Sequence, residues 1–198
     1  MLPCSDACER NKHPILEVLR VCFADRSQVL EIGSGTGQHA VHFARHLEHL
    51  VWFPTEQLHY LPDLSARVQQ EGSANLHAPT VLDVRQRIWP VKAVDAVFSA
   101  NTLHIMSWDE VIAFYRGVGE VLAPGGVLVV YGPFRYGGRY TSDSNRDFDR
   151  SLRERDPASG LRDIEALESL AAQYGLALRA DHDLPAFNRL LIFGKEPG

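Results

Sequence analysis

Apolar residues along this chain fall into short runs separated by polar, glycine-bearing turns, and two periodicities alternate. VLEI (29–32), VWFP (51–54), PTVLDV (79–84), VDAVFSA (94–100) and GVLVVYGPF (126–134) are continuous and β-rich, the pattern of strands buried on both faces. Between them QHAVHFARHL (38–47), LHYLPDLSARVQQ (58–70), WDEVIAFYRGVGEVL (108–122) and IEALESLAAQYG (164–175) repeat with helical spacing, the last stopped by Gly175. Ahead of them Ile15, Leu16, Val18, Leu19, Cys22 and Phe23 recur at helical intervals after Pro14, a residue suited to a first helical turn, so a helix is expected to open there. LALRADHDL (176–184) and RLLIFGK (189–195) follow with no helix between them, which predicts a hairpin. The expected fold is α/β: a doubly wound, seven-strand, mostly parallel sheet with an antiparallel last strand.

One stretch breaks the alternation. Residues 133–162, PFRYGGRYTSDSNRDFDRSLRERDPASGLR, are too polar for core and too long for an ordinary connection, so they are expected to form a functional insertion or lid. The insertion carries seven arginines against five acidic residues. It is therefore net +2 within a chain of net charge -5. The modest acidity of the whole leaves no electrostatic footprint for general nucleic-acid binding. No apolar run approaches the roughly 20 residues of a membrane helix, and the first twenty residues hold no signal core, which reads as cytoplasmic. A single domain over 1–198 is expected, with an N-terminal cap segment at 1–24.

The strongest local feature is VLEIGSGTG, in which Gly33, Gly35 and Gly37 alternate between a strand and a helix. A turn this sharp needs residues without Cβ, and the helix start offers free N–H groups to a polar ligand, as at a Rossmann-like nucleotide site. A dinucleotide fingerprint would place its third glycine at position 38, where Gln38 stands. That spacing disfavours a nicotinamide oxidoreductase.

With Glu31 preceding G-x-G-x-G, the chain resembles the class I S-adenosylmethionine-dependent methyltransferases. The resemblance implies S-adenosylmethionine as cofactor, with Gly33, Ser34, Gly35 and Gly37 passing under its methionine part and Glu31 fixing the loop and the amino group. Glu56 ends the second strand 19 residues beyond Gly37 and is expected to accept both ribose hydroxyls. In the same family an aspartate after the third strand accepts from the adenine amino group. Asp83 fits that position, with Val84 against the ring; a turn-capping role for Asp83 is the alternative. DAVFSANTLHIMSW resembles the family's fourth motif and puts Asn101, Thr102 and His104 just past a strand's carboxyl end, where open α/β sheets bind ligands. More of the chain, including ACERNKHPILEVL, ANTLHIMSW, YGPF, SNRDFDRSLRERDP and GLRD, is similar to the methyltransferase-like 26 group and its bacterial relatives. That closer resemblance implies a cofactor and a fold and no particular methyl acceptor.

Methyl transfer needs alignment, exclusion of water and, where the acceptor holds a proton, a base. His104 is the candidate base, with a structural loop histidine as the alternative; Tyr136 is a second candidate catalytic residue in the insertion, and Tyr140 a pocket-shaping one. Arg10, Asn11 and Lys12 precede Pro14 and would meet the methionine carboxylate if that segment folds over the cofactor; otherwise they form a solvated helix start. Arginines of the insertion could hold a small anionic acceptor, or tie the insertion down through internal ion pairs. His42, His46 and His49 share one helical face, and Cys4, Cys8 and His13 lie close in sequence, but neither set follows a zinc pattern, so no metal is expected. The second reading is a methyltransferase fold that holds cofactor or a partner protein without turnover.

Overall fold

A computed structural model describes residues 2–197. In chain order the elements are α1 (Asp6–Cys22), β1 (Gln28–Ile32), α2 (Gln38–His46), β2 (Val51–Glu56), α3 (Leu61–Glu71), β3 (Thr80–Val81), β4 (Val94–Ala100) and α4 (Trp108–Val121). They continue with β5 (Leu122–Gly132), β6 (Phe134–Tyr136), β7 (Arg139–Tyr140), α5 (Asp143–Arg155), β8 (Arg162–Asp163), α6 (Ile164–Ala172), β9 (Leu176–Leu184) and β10 (Asn188–Lys195). The main sheet has seven strands in the order β3-β2-β1-β4-β5-β10-β9. β1 pairs in parallel with β2 and β4, and β4 with β5, while β10 runs antiparallel to both of its neighbours, β5 and β9. The sheet is thus the expected Rossmann-like one, and its reversed last strand sits between two others rather than at the edge.

The continuous apolar runs are explained by burial on both faces. Leu30 and Ile32 of β1, Leu128 and Val130 of β5, and Leu191 and Phe193 of β10 pack with Phe114, Tyr115 and Val118 of α4 and Leu167 of α6. The intervening Val29, Val129, Tyr131, Leu190 and Ile192 face the other way, onto Ile15, Leu16 and Leu19 of α1 and Ala40, Phe43 and Ala44 of α2. Alternate residues of each strand therefore enter different cores, as the two-residue strand period requires.

Two segments depart from the sequence expectation. Helix α1 starts eight residues before Pro14 and keeps that proline inside it. Ser5 caps its first turn, and Asn11, Ile15 and Leu19 form a buried stripe at four-residue spacing. Packing of that stripe on α2 sustains the helix despite the hydrogen bond lost at Pro14. The insertion, to which the sequence pattern assigns no strand or helix past residue 134, contains regular structure: β6, β7 and β8 form a small three-stranded sheet and α5 runs 13 residues. Among the described residues no helix is long and apolar enough to cross a membrane.

Candidate functional site

The order β3-β2-β1-β4-β5 means that the chain leaves β1 toward one side of the sheet and returns to β4 on the other. That switch point opens a crevice outside the carboxyl ends of β1 and β4. A cavity of about 820 Å³ occupies it, walled by the glycine loop, the ends of β2 and β4, the start of α1 and part of the insertion.

The loop after β1 is shaped by contacts on both flanks. Gly33 has φ +74°, and a Cβ there would overlap the Thr102 methyl group, so the loop and the end of β4 approach as closely as they do only because residue 33 has no side chain. Ser34 N–H donates to the Thr55 carbonyl (3.0 Å), and Ser34 Oγ accepts from Thr55 N–H (3.2 Å). Gly35 N–H donates to Glu56 Oε2 (2.7 Å). A Cβ at Gly35 would meet nothing within 4 Å, since that residue faces the open cavity. Gly37 turns the other way: it caps α2, and a Cβ there would press on Leu64 of α3 at 2.8 Å.

Beneath the loop Glu31 is fully buried, its Oε2 accepting from Trp52 Nε1–H at 2.7 Å. Burial, together with the neighbouring Glu56 charge, outweighs that donor and pushes the Glu31 carboxyl up to about 7. Glu31 supports the loop from below and is not part of the cavity wall.

Of the residues expected from sequence, Gly33, Ser34, Gly35, Glu56, Val84, Asn101 and His104 line the cavity. Asn101 adopts φ +57° at the end of β4, a left-handed conformation that asparagine tolerates better than most residues, with its N–H on the Tyr131 carbonyl at 2.8 Å. His104 is 7% exposed, its ring edge-on to Phe148 at 5.3 Å between centroids. Among the described residues its ring nitrogens make no hydrogen bond. Burial, with the charges of Arg162 and Arg155, lowers it to about 4, so it is neutral near pH 7.

The other expected residues lie elsewhere. Asp83 turns away from the cavity: its carboxylate accepts from Arg85 Nε (2.9 Å) and the Arg85 backbone N–H (3.0 Å), the turn-capping alternative. The Arg85 bonds hold that carboxyl below its usual range. Tyr136 OH donates to Asp181 on β9 (2.7 Å) under the Arg189 guanidinium, outside the cavity wall. Arg10 is exposed, and Lys12 pairs with Glu9. Asn11 is buried behind the wall, its Oδ1 accepting from His39 Nε2 at 2.7 Å, and it is His39 that faces the cavity. Burial lowers His39 to about 4 as well.

Of the two readings of the insertion's arginines, internal ion pairs are the one found. Arg135 pairs with Asp163, Arg146 with Asp143, Arg150 with Asp147 and Arg153 with Asp149, all within the insertion or at its edge. Among the described residues no lysine or arginine lines the cavity, whereas Glu56, Glu110 and Asp156 do.

Several site residues carry no sequence signal of the kind used above. Ser5, Ala7 and Cys8 wall the cavity because Gln38 fastens their segment: its Oε1 accepts from Ser5 N–H (2.6 Å) and its Nε2 donates to Glu9 (2.7 Å) and Cys4 Sγ (3.3 Å). Arg67 adds a second tie, donating to the carbonyls of Thr36 and Pro3 at 2.6 Å each. For Glu110 an unused signal exists: the S-W-D-E spacing marks the capping box that Ser107 and Glu110 form, though not its place at the cavity. Phe148, Asp156 and Ser159 reach the cavity only through the folding of the insertion.

A family profile matches residues 2–195, nearly the full length. The chain belongs to the family described as "Protein of unknown function (DUF938)". Among solved structures, this member of the family is similar to an O-methyltransferase family protein from Burkholderia thailandensis, with TM-score 0.84, 18% identity, and coverage of 98% of this chain and 58% of that one. It is likewise similar to a putative O-methyltransferase from Nostoc punctiforme, with TM-score 0.82, 16% identity, and coverage of 95% and 56%. Human N-acetylserotonin methyltransferase, solved in complex with SAM, superposes with TM-score 0.80 at 12% identity, covering 96% of this chain and 53% of that one. The chain thus spans little more than half the length of these structures, and what it shares with them is the fold.

Proposed function

We propose that the protein is an S-adenosylmethionine-dependent methyltransferase acting on a small molecule whose reacting group is uncharged. The carrying observation is one cavity at the sheet's switch point that joins the bare backbone of Gly33 to Gly35, the Glu56 carboxylate and an unpartnered, neutral His104. The likeness of fold to the methyltransferases named above supports the same reading.

The residues fit the cofactor. Gly35 leaves open space where any side chain would intrude, and the Glu56 carboxylate can accept from both hydroxyls of a ribose. Leu82 and Val84 offer apolar contact to a base, and Ser5 and Cys8 close the cavity over the glycine loop. When bound, S-adenosylmethionine supplies a methyl group already activated by its sulfonium. The protein's part is to hold the acceptor in line, exclude water through the Phe148 wall, and let neutral His104 accept the proton that the acceptor releases. Asn11 and Glu31 serve through His39 and the glycine loop, while Arg10, Lys12, Asp83 and Tyr136 are outside the contact set. Three carboxylates stand on the wall and, among the described residues, the nearby cations Arg85, Arg155 and Arg162 lie behind it rather than on it, which favours an uncharged acceptor over an anionic one. The stretches shared with the methyltransferase-like 26 group carry the narrower proposal that the chain is a relative of that group. The three free cysteines fit a cytoplasmic setting.

Calorimetry tests the cofactor: S-adenosylhomocysteine should bind more tightly than NAD, and the reverse order overturns the assignment. Transfer of a labelled methyl group into a metabolite extract tests turnover. Tight S-adenosylhomocysteine binding with no labelled product across acceptor pools would favour the non-catalytic reading.

A further inference from the structure

The loop that carries His104 is held from the insertion by a buried cation. Arg162, 9% exposed, donates Nε–H to the Leu103 carbonyl (3.1 Å) and Nη2–H to the carbonyls of Met106 and Ala158, with its guanidinium 5.9 Å from the Trp108 ring centroid. Next to it, Gly160 N–H donates to the His104 carbonyl (2.9 Å) and Ser159 Oγ to the Ile105 carbonyl (3.0 Å). Four consecutive carbonyls, 103 to 106, therefore all accept from residues 159–162.

Among the described residues no carboxylate pairs with Arg162. A guanidinium buried without a counter-ion is costly to desolvate, and here the carbonyls of Leu103, Met106 and Ala158 are what offset that cost. An apolar chain could not fork across His104 to bind the carbonyls on either side of it. The fork across His104 is thus what the arginine supplies and another buried side chain does not.

We propose that Arg162 is a positioning residue for His104, fixing the 103–106 loop to the insertion so that the imidazole faces the cavity without a protein partner. The proposal rests on the reading of His104 as the acceptor base. Its consequence is that the insertion both walls the cavity, through Phe148, and sets the base. The imidazole is surrounded by Arg162 and Arg155 as the charges acting on it, the Phe148 ring, and Glu110 and Asp156 on the same cavity wall. Removing the Arg162 charge should ease protonation of the ring.

The test uses the full chain and needs no acceptor: NMR titration of His104, with amide exchange at Gly160, in the wild type, R162M and R162K. In R162M the His104 midpoint should rise by about a few tenths of a pH unit as the cation is removed while burial, the larger cause of its depression, stays, and His39, which faces a different set of neighbours, keeps its midpoint. Gly160 should exchange at least about tenfold faster as its bond to His104 loosens. In R162K the charge is retained, so the His104 midpoint should stay near that of the wild type. Gly160 exchange should still accelerate there, because one ammonium cannot reproduce the fork. Unchanged His104 titration and Gly160 protection in R162M would overturn the proposal, as would equal upward shifts of His39 and His104, which mark general loosening. If R162M does not fold, R162K decides: wild-type Gly160 protection overturns the proposal. Failure of the wild-type chain to bind S-adenosylhomocysteine would instead overturn the proposed function, leaving the clamp's readouts intact.

Discussion

Replacing Gly33 with alanine probes the narrowest point between the glycine loop and β4. The substitution adds one methyl group to a residue at φ +74°, and a left-handed backbone costs an L-residue about 1–2 kcal/mol. The added Cβ also overlaps Thr102 Cγ2. Thr102 has little freedom to swing away, because its Oγ1 bonds Ser99 Oγ and lies 3.3 Å from the Ala100 carbonyl, while Ser99 is itself tied to the Ile32 carbonyl at 2.8 Å. Overpacking of this kind costs about 1–3 kcal/mol. Gly33→Ala should therefore destabilise the fold by roughly 2–5 kcal/mol in all. Thr102→Ser removes the colliding methyl and keeps the hydroxyl, whose oxygen would be 3.5 Å from the new Cβ. Combining the two should thus recover the steric part, about 1–3 kcal/mol, and leave the backbone strain. Denaturant unfolding of the four members of the cycle, compared at constant m-value, gives the coupling directly. A double variant no more stable than Gly33→Ala alone would refute the account, because the strain would then be entirely backbone or the contact would relax freely.

Three further outcomes are expected. Glu56→Gln should weaken S-adenosylhomocysteine binding by roughly 10- to 150-fold, the value of about 1.5–3 kcal/mol for hydrogen bonds to a charged group; calorimetry checks it. His39 and His104 are held at about 4 in the fold against 6.5 when free, so each contributes stability that is complete above pH 6.5 and lost as pH falls toward 4. Glu31, raised to about 7, has the opposite sign: its contribution is complete below 4.5 and is lost as pH rises through 7. Between pH 5 and 6 the net uptake of about one proton on unfolding should lower stability by about 1.4 kcal/mol per pH unit on acidification, with half-exposed His42 adding a smaller share in the same sense. Glu31→Gln should steepen that slope about twofold, read from denaturant midpoints across this range. Gln38→Leu should free the first turn of α1 from the glycine loop, so that limited proteolysis cuts before residue 12 while the remainder stays folded; unaltered resistance would mean that Arg67 alone holds the segment.

The glycine loop, Glu56, Val84, Asn101 and His104 were legible because each lies within a few residues of a strand's carboxyl end, where local spacing fixes position. Asp83 has the expected neighbours in sequence, yet Arg85 two residues on captures its carboxylate, a competition that motif spacing does not encode. Arg10 and Lys12 were read on the assumption that the polar start precedes the helix. Once α1 begins at Asp6, helical periodicity puts Asn11 inside and its two charged neighbours outside. The insertion's arginines illustrate the same limit: internal ion pairs and an anion site both fit the sequence, and only the helical spacing of α5, with acids three or four residues away, decides for the pairs.

The sequence by itself determined the alternation of strands and helices, the reversed final strand and the glycine turn, because these follow from side-chain period and backbone freedom within about ten residues of chain. Only the tertiary structure decided which side chains meet across longer separations. Gln38 meets Cys4, Ser5 and Glu9 some thirty residues earlier, and Arg162 meets the carbonyls of Leu103 and Met106 more than fifty residues earlier. Such contacts form because burial forces each polar group to find a partner, and the partner available is set by how the layers stack. The sheet's switch point could thus be anticipated from the order of the elements, while the walls of the cavity over it, and the neutrality of its histidine, depend on what the fold brings alongside.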